Sequence, residues 1–299
     1  MKSRRHCRWT GSKTPRAVCW GLLPAAFSAL AAEPANEDKS KYNLLNPTPR
    51  ELMREMSTDR PDKTESAYTV DAGHFQFEVD IFNYAHDRDT SGGADVRVDA
   101  WAIAPINFKI GLFNQVDFQT VVQTYNDVTV EDRATASKVH LSGFGDISNR
   151  IKVNLWGNDG GTTALAIMPY VKYPTSQDNL GNSSVEGGII VPFAWELPAG
   201  FGMGLMTEFD FNRDELGNGR HYRFVNSITV SHAIVGELGG YLEFFSAVST
   251  ERDVDWIGTV DLGLTYGLTR DIQLDGGVNI GATQTAPDVN PFVGLSFRF

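Results

Sequence analysis

The feature that most constrains this chain is an alternation of apolar and polar residues with period two, sustained from about Gly73 to the end. In residues 145–156, Ile147, Ile151, Val153 and Leu155 share one parity, interrupted only by Asn149. Asp146, Ser148, Arg150, Lys152 and Asn154 hold the other. Successive side chains of a strand point to opposite faces, so this stretch is a strand with one apolar and one polar face. The pattern recurs. Phe75, Phe77, Val79 and Ile81 alternate with Gln76, Glu78 and Asp80. Met203, Leu205, Thr207, Phe209 and Phe211 alternate with Gly202, Gly204, Glu208 and Asp210. Val260, Leu262, Leu264 and Tyr266 alternate with Asp261, Gly263 and Thr265.

Twelve strands are expected, near 74–86, 94–108, 115–126, 144–156, 162–173, 187–197, 201–212, 222–234, 238–248, 254–267, 271–282 and 290–299. Their connections alternate between short turns (112–114, 158–161, 198–200, 235–237, 269–270) and longer polar loops (87–93, 127–143, 174–186, 213–221, 249–253, 283–289). An even number of strands, with short turns at one end and long loops at the other, is the design of bacterial outer-membrane barrels. Strand and connection together average about 19 residues, ample when a spanning strand needs about 9–11. No run of 18 apolar residues is present to form a spanning helix, and only helices and closed barrels satisfy their backbone polar groups in lipid. Aromatics gather near strand ends (Tyr84, Tyr125, Trp156, Tyr170, Tyr173, Trp195, Phe201, Tyr241, Trp256, Tyr266), as interfacial girdles require. In the last strand Val293, Leu295, Phe297 and Phe299 share a face, and the terminal aromatic fits an assembly signature of outer-membrane barrels. The fold expected is therefore all-β: an antiparallel transmembrane barrel of about 12 strands over 73–299.

The N-terminus fits that destination. Lys2, Arg4, Arg5, Arg8, Lys13 and Arg16 precede an apolar stretch, and Ala29-Leu30-Ala31 supplies a small-x-small cleavage pattern. Residues 1–31 thus read as a secretory signal peptide. Both cysteines, Cys7 and Cys19, fall within it, so the mature chain has neither disulfide framework nor thiol chemistry. Its loss leaves 20 basic against 37 acidic residues, a net charge of −17, which argues against nucleic acid as a partner. Residues 32–72 lack the period-two pattern. A short helix is expected after Asn46, with Thr48 as N-cap, Pro49 in the first turn and Glu51 closing a capping box. The polar, turn-rich stretch 57–66 follows. This region reads as a short periplasmic extension rather than a plug inside the barrel.

Two segments carry a family resemblance. Thr58-Asp-Arg-Pro-Asp-Lys-Thr-Glu-Ser, followed by Val70-Asp-Ala-Gly-His-Phe-Gln-Phe-Glu, is the more specific. The other is Gly143-Phe-Gly-Asp-Ile, leading into Arg150-Ile-Lys. Over residues 57–299 the chain resembles the bacterial family named for the MetA pathway of phenol degradation. The resemblance implies an outer-membrane barrel that passes small molecules, aromatic or hydrophobic ones among them, and supplies no functional residues to carry over.

The chemistry expected from the residues is that of a lumen. Asp146, Arg150, Lys152, Glu208, Asp210, Glu243, Asp261 and Asp275 lie on the polar parity and would face inward, where charged walls tune pore selectivity. The partners expected are outer-membrane lipid, a small-molecule solute and the assembly machinery reading Phe299. No cofactor is called for. The mature histidines His74, His86, His140, His221 and His232 form no zinc-binding spacing. Gly143-x-Gly145-Asp146 lacks the lysine and helix of a phosphate loop. Asp87, Asp89 and Asp95 crowd one loop without an EF-hand spacing and read as a solvated acidic loop. Two other functions compete with a channel: a lipid-modifying enzyme using His232 with a nearby serine, and a structural or adhesion barrel acting through its acidic loops.

Overall fold

The computed structural model describes residues 38–299 apart from 179, 182, 215–218 and 253; the expected signal peptide lies outside the described residues. Fifteen strand segments run in chain order: β1 (Phe75–Asp89), β2 (Val96–Ile103), β3 (Ile106–Phe113), β4 (Val116–Val122), β5 (Tyr125–Asp132), β6 (Ser137–Gly143), β7 (Ile147–Trp156), β8 (Thr163–Tyr173), β9 (Glu186–Glu196), β10 (Phe201–Arg213), β11 (Arg220–Val235), β12 (Leu238–Ser249), β13 (Ile257–Thr269), β14 (Ile272–Gly281) and β15 (Val289–Arg298). All neighbours pair antiparallel, and β15 pairs with β1, so the sheet closes. Three pairs of consecutive segments, β2/β3, β4/β5 and β6/β7, are single staves broken once. The barrel wall is then twelve staves, as the alternation predicts.

The breaks have local causes. Between β2 and β3, Ala104 takes a positive φ of 54° and Pro105 follows, which has no N–H for the ladder. Beside it, β1 shifts register at Ile81. Between β6 and β7 comes Phe144-Gly145-Asp146, where Gly145 donates to the Gln123 carbonyl across the gap between β4 and β5. Residues 127–143, expected as one long loop, instead form most of a hairpin: β5 pairs along β2, and β6 along β5. The expectation failed because β6 (Ser-Lys-Val-His-Leu-Ser-Gly) is too polar to look like a wall strand. It lies beyond the break, on the side of the long loops.

Burial is inverted relative to a soluble protein. The largest fully buried side chains include Lys109, Lys152, Gln76, Gln119, Glu78 and Glu243, whereas Ile151, Leu242, Phe244, Leu262, Leu264 and Phe209 are exposed. Fully buried lysines are rare unless paired. A wall apolar outside and polar inside is what lipid and an aqueous lumen select. The aromatics divide. Tyr125, Trp156, Tyr173, Trp195, Phe201, Trp256 and Tyr266 are exposed on the outer surface. Tyr170 and Tyr241 share parity with Lys172 and Glu243 and point inward, so they are not part of a girdle.

The seam between first and last strands places the C-terminal residues in the closing ladder. Phe299 and Phe75 exchange backbone hydrogen bonds at 3.0 and 2.9 Å. Phe77 stacks on Phe297 at 5.2 Å, and Phe75 lies 6.1 Å from Phe299. These ring pairs add to the ladder on the lipid side of the closing strand.

Candidate functional site

The lumen is occupied by the protein's own N-terminal region. Residues 38–56 cross the short-turn end of the barrel. There Lys39 and Arg54 both reach Asp159 in the turn after β7 (2.8 and 2.9 Å), and Arg50 reaches Asp271 in the turn before β14 (2.5 Å). Arg298 joins in, bonding Asp271 at 2.8 Å and the Arg54 carbonyl at 3.0 Å. The expected helix is reduced to one 3-10 turn, Arg50–Leu52, with no side-chain cap. Thr48 is buried instead, and its amide bonds the Ala72 carbonyl at 2.9 Å. The long-range charge contacts of Arg50 and Arg54 override the local capping signal.

From Ser57 the chain turns into the barrel and comes back out at Gly73. The two limbs are tied by Ser57 and Ser66 (Oγ to Oγ 2.6 Å) and by the Ser66 amide on Asp59 (2.9 Å). This corrects the expected periplasmic extension: residues 57–72 form an in-and-out plug. The returning limb leaves past Gly111 of β3, where a Cβ would stand 2.0 Å from the Asp71 carbonyl oxygen, so only glycine fits.

Nearly every charge on the plug meets an opposite charge on the wall. Asp59 lies between Lys109 of β3 and Lys152 of β7, the latter at 2.6 Å, and Lys109 also bonds Glu78 of β1 at 2.5 Å. Arg60 bridges Asp80 of β1 and Asp275 of β14 (2.7 Å to Asp275). Its guanidinium lies where a Cβ on Gly294 would come within 2.1 Å. Lys63 reaches Asp261 at 3.1 Å, and the amides of Lys63 and Thr64 donate to Glu243 at 2.9 and 2.8 Å. Glu65 pairs with Arg150 at 2.6 Å. The limb that leaves is held by amides: Asn154 bonds the Ala67 carbonyl at 2.8 Å, and the Val70 amide bonds Asp117 at 3.1 Å. Removing one partner of a buried pair costs about 3–5 kcal/mol because the other charge stays buried and unmatched. Contacts on seven staves therefore hold the plug firmly.

Of the eight residues singled out from sequence, Arg150, Lys152, Glu243, Asp261 and Asp275 meet the plug directly. Glu208 and Asp210 face inward on β10, where Asp210 accepts a hydrogen bond from Tyr170 at 2.6 Å. Asp146 has a different place. It accepts the amides of Thr175 and Ser176 (3.1 and 3.0 Å), fixing the loop after β8. Sequence reading missed the plug residues Asp59, Arg60, Lys63 and Glu65 and the wall residues Glu78, Lys109 and Asp117. The available signal was charge density: five of the seven residues 59–65 are charged, of both signs, where a plain solvated loop needs no such matching. His232 is on the outer surface, its Nε2 3.2 Å from the Ala199 carbonyl and its ring 4.4 Å from that of Phe201. In the acidic loop, Asp95 pairs with Arg88 at 3.0 Å. Among the described residues, Asp214, His221 and Glu251 form one cluster of potential ligands at the long-loop end of β10–β12, with His221 Nδ1 3.1 Å from Asp214 and 3.4 Å from Glu251.

The strap across the turn end should loosen in acid. Burial works to raise the Asp159 carboxyl, but hydrogen bonds from Lys39 and Asn114 and the charges of Arg54 and Lys39 outweigh it and hold it below the usual value of 3.8. Asp271 is held low in the same way by Arg298 and Arg50 against its burial. Groups with depressed values stabilise above the unfolded value, and that stability is lost as pH falls through the folded one. We expect a spin label at Leu45→Cys, an exposed position, to be ordered at pH 7 and to gain mobility only below about pH 4.

Comparison with known proteins places the chain. The family model described as the MetA-pathway of phenol degradation matches residues 58–299. The chain belongs to that family. The match to the MetA-pathway family begins at Thr58, so it takes in the plug as well as the barrel. No curated protein matches the sequence. Among solved structures, the COG4313 outer membrane channel from Pseudomonas putida F1 has a TM-score of 0.56 at 12% identity, covering 81% of this chain and 100% of that one. The NanC porin (0.47, 12% identity, 74% and 98% covered) and the CymD monoaromatic hydrocarbon channel (0.45, 8%, 75% and 87%) are more distant in shape. What this family member shares at such identity is the fold, a closed barrel of the bacterial outer membrane.

Proposed function

We propose that this protein is a passive outer-membrane channel for small molecules, aromatic or hydrophobic ones among them. One observation carries the reading: a closed barrel whose bore holds a segment tied to the wall chiefly by ion pairs and hydrogen bonds, beside a small inward apolar cluster of Met168, Ile190, Met206, Val225 and Ala247. Polar contacts of this kind can be exchanged for water, as a path for solute requires. The family's link to phenol degradation and the monoaromatic hydrocarbon channel among its structural neighbours motivate the solute class. A lipid-modifying enzyme is disfavoured by the position of His232, whose ring nitrogen is engaged by a backbone carbonyl and whose ring stacks on Phe201 at the outer surface. The test is uptake. Cells whose outer membrane limits entry of aromatic compounds should take up phenol faster when the protein is present, and the purified protein should conduct ions in a planar bilayer. Absence of both would end the channel reading. Phospholipid turnover lost in His232→Ala would favour the enzyme.

We also propose that assembly machinery reads the C-terminal face. Deletion of Phe299 removes two backbone hydrogen bonds and the Phe75 ring contact from the closing seam. The expected outcome is a clear drop in folded protein in the outer membrane, measured by heat-modifiable migration in gels, with an unchanged lumen in the molecules that do fold.

A further inference from the structure

We propose that the strap's turn at residues 43–46 enters the periplasmic leaflet of the outer membrane, with Leu44 and Leu45 among phospholipid acyl chains. The inference rests on the barrel's place in the outer membrane and is independent of the channel reading.

The residues of this turn do not suit water. Asn43 and Asn46 exchange backbone hydrogen bonds at 3.0 Å in both directions, so Leu44 and Leu45 form the tip of a two-residue hairpin. Such tips are ordinarily Gly, Asn, Asp or Ser, which fit both the turn and the solvent. Here Leu45 is 92% exposed and Leu44 43%. From Tyr42 to Pro49 the chain carries no charge. A leucine pair at a solvated tip leaves apolar area in water with no packing in return. Phe113, which bridges to Asn43, is 57% exposed on the outer surface and makes the two leucines part of a continuous apolar patch.

Position, direction and backbone commit this patch to lipid. It continues the lipid-facing wall, because Phe113 shares the short-turn end with Trp156, Trp195 and Phe299, all exposed on the outer surface. Aromatic rims of this kind mark the membrane boundary. β3 runs toward the short-turn end, and the bridge from Asn43 to Phe113 is antiparallel, so the strap enters its turn heading back toward the membrane. The amides of the turn are already engaged. That of Leu44 donates to the Leu112 carbonyl at 2.9 Å and that of Leu45 to Asn43 Oδ1 at 2.9 Å, while those of Asn43 and Asn46 bond across the hairpin. A segment enters hydrocarbon cheaply only when its backbone groups are bonded within the protein, and the four donors of this turn meet that condition. Three side chains are too few for a stable protein interface, which buries about 1,200–2,000 Å²; lipid sets no such minimum.

The experiment labels the protein from the lipid side. Protein produced from residue 32 onward is folded into vesicles of phosphatidylethanolamine and phosphatidylglycerol that contain a phospholipid with a diazirine on its acyl chain. After irradiation, lipid adducts are located by mass spectrometry, and the peptide holding Leu262 and Leu264 of the outer wall serves as the internal standard. We expect adducts on Leu44 or Leu45 at a yield comparable with that standard. Leu44→Ser/Leu45→Ser should lower the yield in the strap peptide several-fold and leave the wall adducts in place. Wall adducts with none on the native turn would overturn the proposal, and no adduct on the wall would remove the membrane placement on which it rests. A spin label at Leu45→Cys gives a second reading. Its collisions with oxygen, which concentrates in lipid, should exceed those with a water-soluble nickel chelate, with the reverse order at Glu51→Cys, an exposed position on the same strap. Nickel dominating at position 45 would overturn the proposal. Spectral broadening at position 45 that vanishes on dilution with unlabelled protein would also overturn it, by giving the patch to a second copy of the chain.

Discussion

Deleting residues 38–72, so that the mature chain begins just before Gly73, raises single-channel conductance about tenfold. A twelve-stranded wall lies between the side-chain-filled eight-stranded barrels and the open sixteen-stranded porins, and here the plug fills most of the bore. The wall should survive the deletion, because β1 keeps its ladders to β15, β2 and β3. What is lost lies in the lumen and across the turn end: Lys109 and Lys152 trade Asp59 for water, Glu243, Asp261 and Asp275 lose Thr64, Lys63 and Arg60, and Asp159 and Asp271 lose Lys39, Arg54 and Arg50. Conductance that stays at the native level would mean that the loops, not the plug, restrict the bore.

The second large effect comes from a single atom change. Asp59→Asn keeps the shape of the side chain but removes the negative charge held between two fully buried ammonium groups. The amide can still accept the Ser66 amide, so the turn of the plug is intact, and only the ion pairs are lost. Breaking a buried pair costs about 3–5 kcal/mol. Even a part of that, about 1.4 kcal/mol, shifts the seated-to-released ratio tenfold. We expect frequent large openings in bilayer recordings, approaching the conductance of the deletion. Leu45→Ala, an exposed change on the strap, should leave the recordings as they are. If Asp59→Asn behaves like Leu45→Ala, the two lysines do not anchor the plug.

The wall was legible in the sequence because period two is imposed by lipid on one face and water on the other, and no local effect competes with it. Ile147 to Leu155 and Val293 to Phe299 display their outer faces directly. The breaks at Ala104-Pro105 and Gly145 were visible as residues but not as breaks, since the strands on either side continue in the same direction. The candidate site was half legible. Parity places Arg150, Lys152, Glu243, Asp261 and Asp275 on the inside, but it says nothing of what they meet. Their partners sit far away along the chain, Lys63 being 198 positions from Asp261, and pairing over that distance follows from barrel closure rather than from a local pattern. Asp146 misled because its parity continues that of β7, although the strand starts one residue later, at Ile147. The capping box at Thr48 misled for the converse reason: a local signal worth about 1 kcal/mol gave way to ion pairs with Asp159 and Asp271.

The most direct test of the central claim, that residues 57–72 lie in the lumen of an outer-membrane barrel, is disulfide mapping in intact cells. The two cysteines of the sequence, Cys7 and Cys19, both precede residue 32, so in protein produced from residue 32 onward Thr64→Cys/Ser227→Cys reports one contact alone. The structure predicts that mild oxidation joins positions 64 and 227 in nearly every folded molecule, seen as one linked peptide after digestion. Two free thiols, with Cys at 64 open to a label added from the periplasm, would contradict it.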